Sequence, residues 1–313
     1  MIREIEGKVV KGLGGLYDIR VSDNGHVEYL SCRAKGALHR ADEKVLIGDN
    51  VRLRLDEATE GSIVISERLP RKNALIRPPM ANLDILFIVL AVRDPMPVTE
   101  TVDKLIAIAE HNAIEPVILL TKSDLDAAEC ERLSDIYRSV GIPVFATSSA
   151  RGEGMEPLYE YLQAHLKDGV TAAFAGASGV GKSTLLNTLF PNLSLATSEI
   201  SRKIARGRHT TRHVELFALS PDDVNTGYLA DTPGFSLIDF ERFDFFALED
   251  LLPTFRELLP YVGQCRYSDC AHVGEGAEDC AVARAAEQGL IPPSRLESYR
   301  SIYRILKNKN FYK

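Results

Sequence analysis

The sequence has no tryptophan, and aromatic residues make up only 7% of its 313 positions. It also lacks a long apolar run. The longest, Ile85 to Val92, is less than half of the ~20 residues that an α-helix needs to cross a bilayer. Such a run suits a buried parallel strand instead. The start, Met-Ile-Arg-Glu-Ile-Glu, carries acids and no signal-peptide core, so a cytoplasmic location and no membrane partner are expected. Cysteine is scarce: five residues, an odd number, which argues against a disulfide framework. Basic charge is in deficit, with 37 Lys and Arg against 44 Asp and Glu for a net charge of −7. That balance excludes a uniformly basic nucleic-acid binder but leaves room for local basic patches. What remains is an ordinary globular composition, long enough for two or three domains.

The most informative stretch runs from Val170 to Leu189. An apolar segment, Val170 to Ala175, meets a loop that fits G-x-x-x-x-G-K-S from Gly176 to Ser183. Leu185, Leu186 and Leu189 then open a helical pattern. Strand, glycine loop and helix together are the context of a phosphate-binding loop. Backbone amides from Gly176, Ala177, Ser178, Gly179, Val180 and Gly181 into Lys182, Ser183 and Thr184 form an anion nest at a helix N-terminus. Lys182 can reach the β- and γ-phosphates, and the Ser183 hydroxyl is placed to ligate Mg²⁺. The stretch predicts a nucleoside triphosphate site; the bland alternative is a glycine turn that only caps a helix.

Residues 1–72 show five short alternating runs, Ile5–Val10, Leu16–Val21, Val27–Leu30, Asn50–Leu55 and Ser62–Ser66, separated by Gly- and Asp/Asn-containing turns. That pattern predicts a small antiparallel barrel of OB type. Arg33, Lys35, His39 and Arg40 fall in one connection. They mark either an RNA-contacting patch or a solvated loop. A proline-punctuated basic linker, Pro70 to Pro79, closes this domain. Strand–helix alternation follows, with strands at 83–92, 116–120, 143–147 and 170–175 and helices near 100–112, 126–140 and 155–166. It predicts a parallel sheet with helices on both faces over 73–240, and a mainly helical third domain over 241–313.

On that sheet, Thr121-Lys122-Ser123-Asp124 is a variant of N-K-x-D at a strand end. The Asp124 carboxylate can accept from N1–H and the exocyclic amine of guanine, a donor pair that adenine lacks. The Lys122 stem can lie along the ring, and a backbone N–H within Ser148-Ser149-Ala150 can serve O6. Asp124 could instead be a helix N-cap. After the P-loop, Thr197 to His213 carries Arg202, Lys203, Arg206, Arg208 and Arg212 and the tract Gly207-Arg208-His209-Thr210-Thr211. Asp231-Thr232-Pro233-Gly234 then fits D-x-x-G. Asp231 can hold Mg²⁺ through water, and the Gly234 N–H can bond the γ-phosphate. Conventional GTPases place the base-reading pair after the P-loop, whereas here it comes first. A parallel sheet can be cut and rejoined at surface loops, so the order predicts a circularly permuted GTPase domain.

Cys265-x₄-Cys270-x-His272-x₇-Cys280 is a donor set for one structural Zn²⁺ in tetrahedral Cys₃His coordination, if not simply reduced cysteines. A last helix is expected to open on a capping box, Ser294 to Glu297. From Ser294 to the end there are six Lys or Arg and one acid, a basic patch suited to RNA on an acidic protein.

Order, barrel and cysteine cluster together resemble the ribosome small-subunit-dependent GTPase A family (RsgA, YjeQ or YloQ). The resemblance rests on Pro70-Arg71-Lys72-Asn73-x-Leu75-x-Arg77-Pro78, the P-loop, Gly207-Arg208-His209-Thr210-Thr211 and Asp231-Thr232-Pro233-Gly234-Phe235. It implies an OB barrel, a permuted GTPase domain and a zinc domain, in a factor that matures the small ribosomal subunit and is stimulated by it. A monomer that binds GTP, Mg²⁺, Zn²⁺ and the subunit's rRNA is expected. Three positions depart from the family pattern: Thr121 for Asn, Arg212 for a third Thr, and a longer His272–Cys280 spacing. Thr121 is expected to remove an amide that braces the P-loop side. Competing readings are a large-subunit assembly GTPase, a P-loop ATPase or kinase for a small molecule, and an RNA-binding module with a vestigial nucleotide site.

Overall fold

A computed structural model describes residues 2–23, 25–39, 44–56, 62–190, 214–231 and 239–311. Its strands are β1 (Ile2–Leu13), β2 (Leu16–Asp23), β3 (His26–Ala34), β4 (Asn50–Asp56), β5 (Ser62–Arg68), β6 (Ala74–Leu75), β7 (Met80–Ala81), β8 (Ile85–Ala91), β9 (Glu115–Thr121), β10 (Val144–Ala146), β11 (Thr171–Ala175), β12 (Glu215–Ala218) and β13 (Tyr228–Asp231). Its helices are α1 (Thr99–His111), α2 (Ala127–Ser139), α3 (Met155–His165), α4 (Lys182–Leu189), α5 (Ala281–Glu287) and α6 (Pro293–Phe311). They form two compact units. One comprises Met1–Leu86, Glu156–Phe174 and Leu186–Phe235; the other comprises Phe87–Met155, Ala175–Leu185 and Ser236–Lys313.

In the first unit, β1 to β5 close a barrel in the order β1-β2-β3-β5-β4. All five expected runs are strands, each extended beyond the alternating core that marked it. The alternation places Val9, Ile19, Val21, Val51, Leu53 and Ile65 inside, none more than 2% exposed. β1 crosses β2 closely at Gly7, where a Cβ would lie 2.5 Å from Ile19 Cγ2, so glycine alone fits there. Closure comes from β3 and β5 pairing in parallel at Arg33–Val64 and Ala34–Ile65, which no local pattern announces. Arg33 and Lys35 are exposed, while Arg40 lies outside the described residues.

The same unit contains β11, β13 and β12 in that order. β11 runs parallel to β13, with Thr171 opposite Tyr228. β12 runs antiparallel to β13, adding an antiparallel edge strand that the strand–helix alternation of residues 83–175 did not address. Its direction follows from chain length. Only residues 219–227 join β12 to β13, fewer than the dozen or so that a parallel crossover requires. Arg20, buried in the barrel wall, donates to the Tyr228 hydroxyl at 3.0 Å and to the Asp223 carbonyl at 2.6 Å, pinning that connection.

In the second unit the strand order is β10-β9-β8. Every residue of β8 is buried, as its unbroken apolar run requires. α1 and α2 flank these strands. The C-terminal part packs Phe240, Phe245, Phe246, Leu251, Phe255 and Leu258 inward around short helical turns, followed by α5 and α6. α6 starts at Pro293, one residue before the expected capping box. Proline fits a first helical position because its missing N–H would have no partner there. Among the described residues, no helix is long and apolar enough to cross a membrane.

Candidate functional site

The phosphate loop is built as its spacing predicts. β11 ends at Ala175 and α4 begins at Lys182. Gly176 has φ of 151°, and a Cβ there would stand 2.4 Å from the Val89 carbonyl oxygen. A larger residue would drive the loop off β8. Val180 is buried and anchors the loop, while Ala177, Ser178, Ser183 and Thr184 are exposed. The Lys182 ammonium donates to the Gly176 carbonyl at 3.2 Å, folded back over its own loop.

Beside the loop lies an open cavity of about 280 Å³, lined by Thr121, Lys122, Asp124, Leu125, Ser148, Ser149, Ala150, Gly181 and Thr184. Residues from two separate sequence motifs and the P-loop therefore meet in one pocket. α2 is capped by Asp126, whose carboxylate accepts from the Glu129 N–H at 3.1 Å. Asp124 is thereby released from the capping role and faces the cavity. A hydrogen bond from Ser148, with Arg151 at 3.9 Å as a lesser cause, holds the Asp124 carboxyl below the usual carboxylate range. It is an ionised acceptor. The Ser148 amide is committed to the Glu153 carbonyl, which leaves Ser149 and Ala150 to offer a backbone donor. Arg151, at the rim, carried no motif of its own; its only sequence signal is that it follows Ser148-Ser149-Ala150.

Lys122 and Thr121 tie this pocket to the loop. The Lys122 ammonium donates to the Gly179 carbonyl at 3.0 Å and to the Asp94 carbonyl. The Thr121 hydroxyl, 4% exposed, donates to the Val180 carbonyl. The expected loss of the P-loop brace is thus corrected: the amide is absent, but a hydroxyl of shorter reach makes the contact.

The second constellation is the cysteine cluster. His272 Nδ1 lies 3.5 Å from the Sγ of each of Cys265, Cys270 and Cys280, and the Cys265 and Cys280 sulfurs are 3.9 Å apart. All four ligand atoms fall within 4.8 Å of one another. Tetrahedral bonds of ~2.3 Å to sulfur and ~2.05 Å to nitrogen put S–S near ~3.8 Å and S–N near ~3.5 Å, so the donors fit zinc. The loop reaches this geometry because His272 adopts φ of 62°. Backbone N–H groups of Ala281 and Ala283 donate to the Cys265 and Cys280 sulfurs at 3.3 and 3.4 Å. Burial, together with the neighbouring thiols, pushes Cys270 up to about 12. Three thiols this close ionise together only around a cation.

With pocket and cluster in place, comparison with known proteins decides the assignment. The RsgA GTPase profile matches residues 68–241, and the RsgA N-terminal domain profile matches residues 6–63. The chain belongs to the RsgA GTPase family. A small ribosomal subunit biogenesis GTPase RsgA from Caldanaerobacter subterraneus subsp. tengcongensis is 40% identical over 309 residues, covering 98% of each chain. One of the same name from Carboxydothermus hydrogenoformans is 41% identical over 297 residues, 94% of this chain and 95% of the relative. The crystal structure of YjeQ from Thermotoga maritima superposes with a TM-score of 0.77 at 32% identity, covering 97% of this chain and 99% of that one. YloQ, described as a circularly permuted GTPase, gives 0.75 at 30% identity, covering 98% and 96%. The permuted motif order is thus a property of RsgA architecture.

The remaining expected residues of this RsgA-family chain are divided. Asp231 ends β13, in register with Glu215 of β12. His209, Thr210, Thr211 and Gly234 lie outside the described residues.

Proposed function

We propose that this chain hydrolyses GTP to GDP and phosphate as a late-acting maturation factor of the small ribosomal subunit. In this reading it binds the subunit's rRNA and is stimulated by it. The observation that carries the reading is the ionised Asp124 facing a cavity contiguous with the P-loop, in a chain whose relatives bear that name. We divide the chain into a barrel (1–72), a permuted GTPase domain (73–240) and a zinc-binding domain (241–313), acting as a cytoplasmic monomer.

Guanine is held by Asp124 through two hydrogen bonds, with the Lys122 stem along the ring and Ser149 or Ala150 donating to O6. The amides of Gly176 to Thr184 bind the phosphates. Mg²⁺, when bound, neutralises charge on the β- and γ-phosphates. Ser183, one of Thr210 and Thr211, and Asp231 would hold it. Lys182 stabilises charge that develops on the bridging and γ-oxygens as water attacks in line. The Gly234 N–H fixes the γ-phosphate. Phe235 stands where many GTPases carry a water-orienting glutamine, and a phenyl ring cannot orient water. Intrinsic turnover is therefore slow, and His209 completes the site on the RNA surface. The Cys₃His site holds one structural Zn²⁺, with all four positions filled by protein.

The test is GTP and ATP hydrolysis by the purified protein, alone and with small or large subunits. Slow GTP turnover raised strongly by the small subunit alone is expected, and His209→Ala should remove most of that stimulation. ATP turnover indifferent to ribosomes would overturn the reading, and stimulation by the large subunit would redirect it. Full stimulation of His209→Ala would discard the histidine's role alone.

A further inference from the structure

α6 is attached to two different parts of its unit by buried and part-buried polar contacts. At its first turn the Arg295 side chain, 1% exposed, lies 2.7 Å from Asp103 of α1 and 2.7 Å from Glu257. Its guanidinium also stacks 4.5 Å from the Phe255 ring. Nearly two turns on, Ser301 donates to Glu100 of α1 at 2.9 Å. On the same helix the Tyr299 hydroxyl donates to the Ala271 carbonyl at 3.1 Å, and Arg300 Nε donates to the His272 carbonyl at 3.2 Å. Those two carbonyls belong to the loop that presents Cys270 and His272. One helix therefore grips both α1 and the metal knuckle.

α1 in turn leads back to the nucleotide pocket. It follows directly on the segment Arg93–Val98, whose Asp94 carbonyl accepts from Lys122. The same ammonium holds the Gly179 carbonyl of the P-loop. Polar contacts join the pocket to Asp94, the backbone carries the link from Asp94 into α1, and polar contacts of Arg295 and α6 complete it to the knuckle, all within one compact unit.

A buried Arg between two carboxylates is a poor source of stability, since desolvation consumes most of the attraction, but it fixes geometry because its planar guanidinium, giving one N–H to each acid, accepts few alternatives. We propose that Arg295 is a positioning residue that couples the Cys₃His knuckle to the guanine-nucleotide pocket, so that nucleotide binding tightens the hold on the metal. By linkage, the metal must tighten the nucleotide by the same factor. The inference rests on reading those two sites as nucleotide and zinc sites.

The experiment follows release of Zn²⁺ from the loaded full-length protein to a chromogenic chelator, with and without saturating GDP. Binding of a fluorescent GDP analogue is titrated on the same samples. An affinity coupling of roughly tenfold lies within the 5- to 150-fold range usual for coupled sites, and because affinity changes fall mostly on dissociation, GDP is expected to slow release by about that factor. In Arg295→Met that slowing should shrink to less than twofold, and Arg295→Lys should restore part of it. Should Arg295→Met fail to fold, the triple variant Asp103→Leu, Glu257→Leu, Arg295→Met removes every charge together and is expected to fold, hold zinc and bind GDP without the coupling. Two outcomes overturn the proposal while leaving both sites standing: GDP binding that leaves release unchanged in the native protein, or full slowing in the variants. A native protein that binds no GDP analogue or retains no zinc would overturn the assignment of the sites themselves, and this coupling with it.

Discussion

Asp124→Asn is expected to weaken guanine-nucleotide binding by ~100-fold or more while leaving the fold unchanged. The carboxylate accepts two hydrogen bonds from the N1–H and N2 amine of guanine. Hydrogen bonds to a charged group are worth ~1.5–3 kcal/mol each, and ~1.4 kcal/mol is tenfold in affinity. Asparagine keeps one acceptor and turns an NH₂ toward a donor, so one bond is lost and one contact becomes repulsive. Xanthine carries a carbonyl where guanine carries that amine, and the new NH₂ can donate to it. Xanthosine diphosphate should therefore bind the variant better than GDP does. The thermal midpoint should barely move, because Asp126 rather than Asp124 caps α2 and the contact with Arg151 is long and solvent-exposed. Competition titration against a fluorescent GDP analogue measures the effect. GDP affinity within threefold of the native value would remove Asp124 from the role of guanine reader.

The second large effect is expected at Cys280. Its sulfur is a candidate zinc ligand, and it also caps α5 by accepting the Ala283 N–H. Cys280→Ser separates the two functions, because serine is among the best N-cap residues yet a poor zinc ligand. The variant should purify with far less than one zinc per chain. Amides from Cys265 through α5 should lose protection from hydrogen exchange, since structural zinc supplies ~10–16 kcal/mol of apparent binding energy in small zinc modules. The barrel should stay protected, because its core of Val9, Ile19, Leu53 and Ile65 is built without the cluster. Metal analysis and exchange mass spectrometry report both quantities. Full zinc content with native protection would show that the cluster is not a four-ligand metal site.

The features legible in the sequence share one property: their chemistry is local. Gly176 to Ser183 must be contiguous to wrap a phosphate, so the spacing survives as a motif. The same holds for Cys265, Cys270, His272 and Cys280, whose ligand atoms fall within 4.8 Å of one another because a short loop returns on itself. Alternation in residues 1–72 marked the barrel strands because a two-residue period is enforced by burial of one face. Permutation was legible because motif order along the chain is itself sequence information.

Tertiary structure alone decided the rest. The bond from Thr121 to Val180 spans 59 residues, and no local pattern says that a hydroxyl can replace an amide across that gap. Asp124 and Asp126 are equally good caps on paper. The start of α2 at Ala127 chose between them. Parallel pairing of β3 with β5 and the antiparallel edge of β12 depend on where distant strands pass one another. Arg295 lay in a run that reads as an exposed basic patch suited to RNA, yet it is 1% exposed. It is buried because Asp103, 192 residues away, meets it with a carboxylate. Local rules fix the groups a chain can offer, whereas burial and charge pairing between remote segments fix which of them are used.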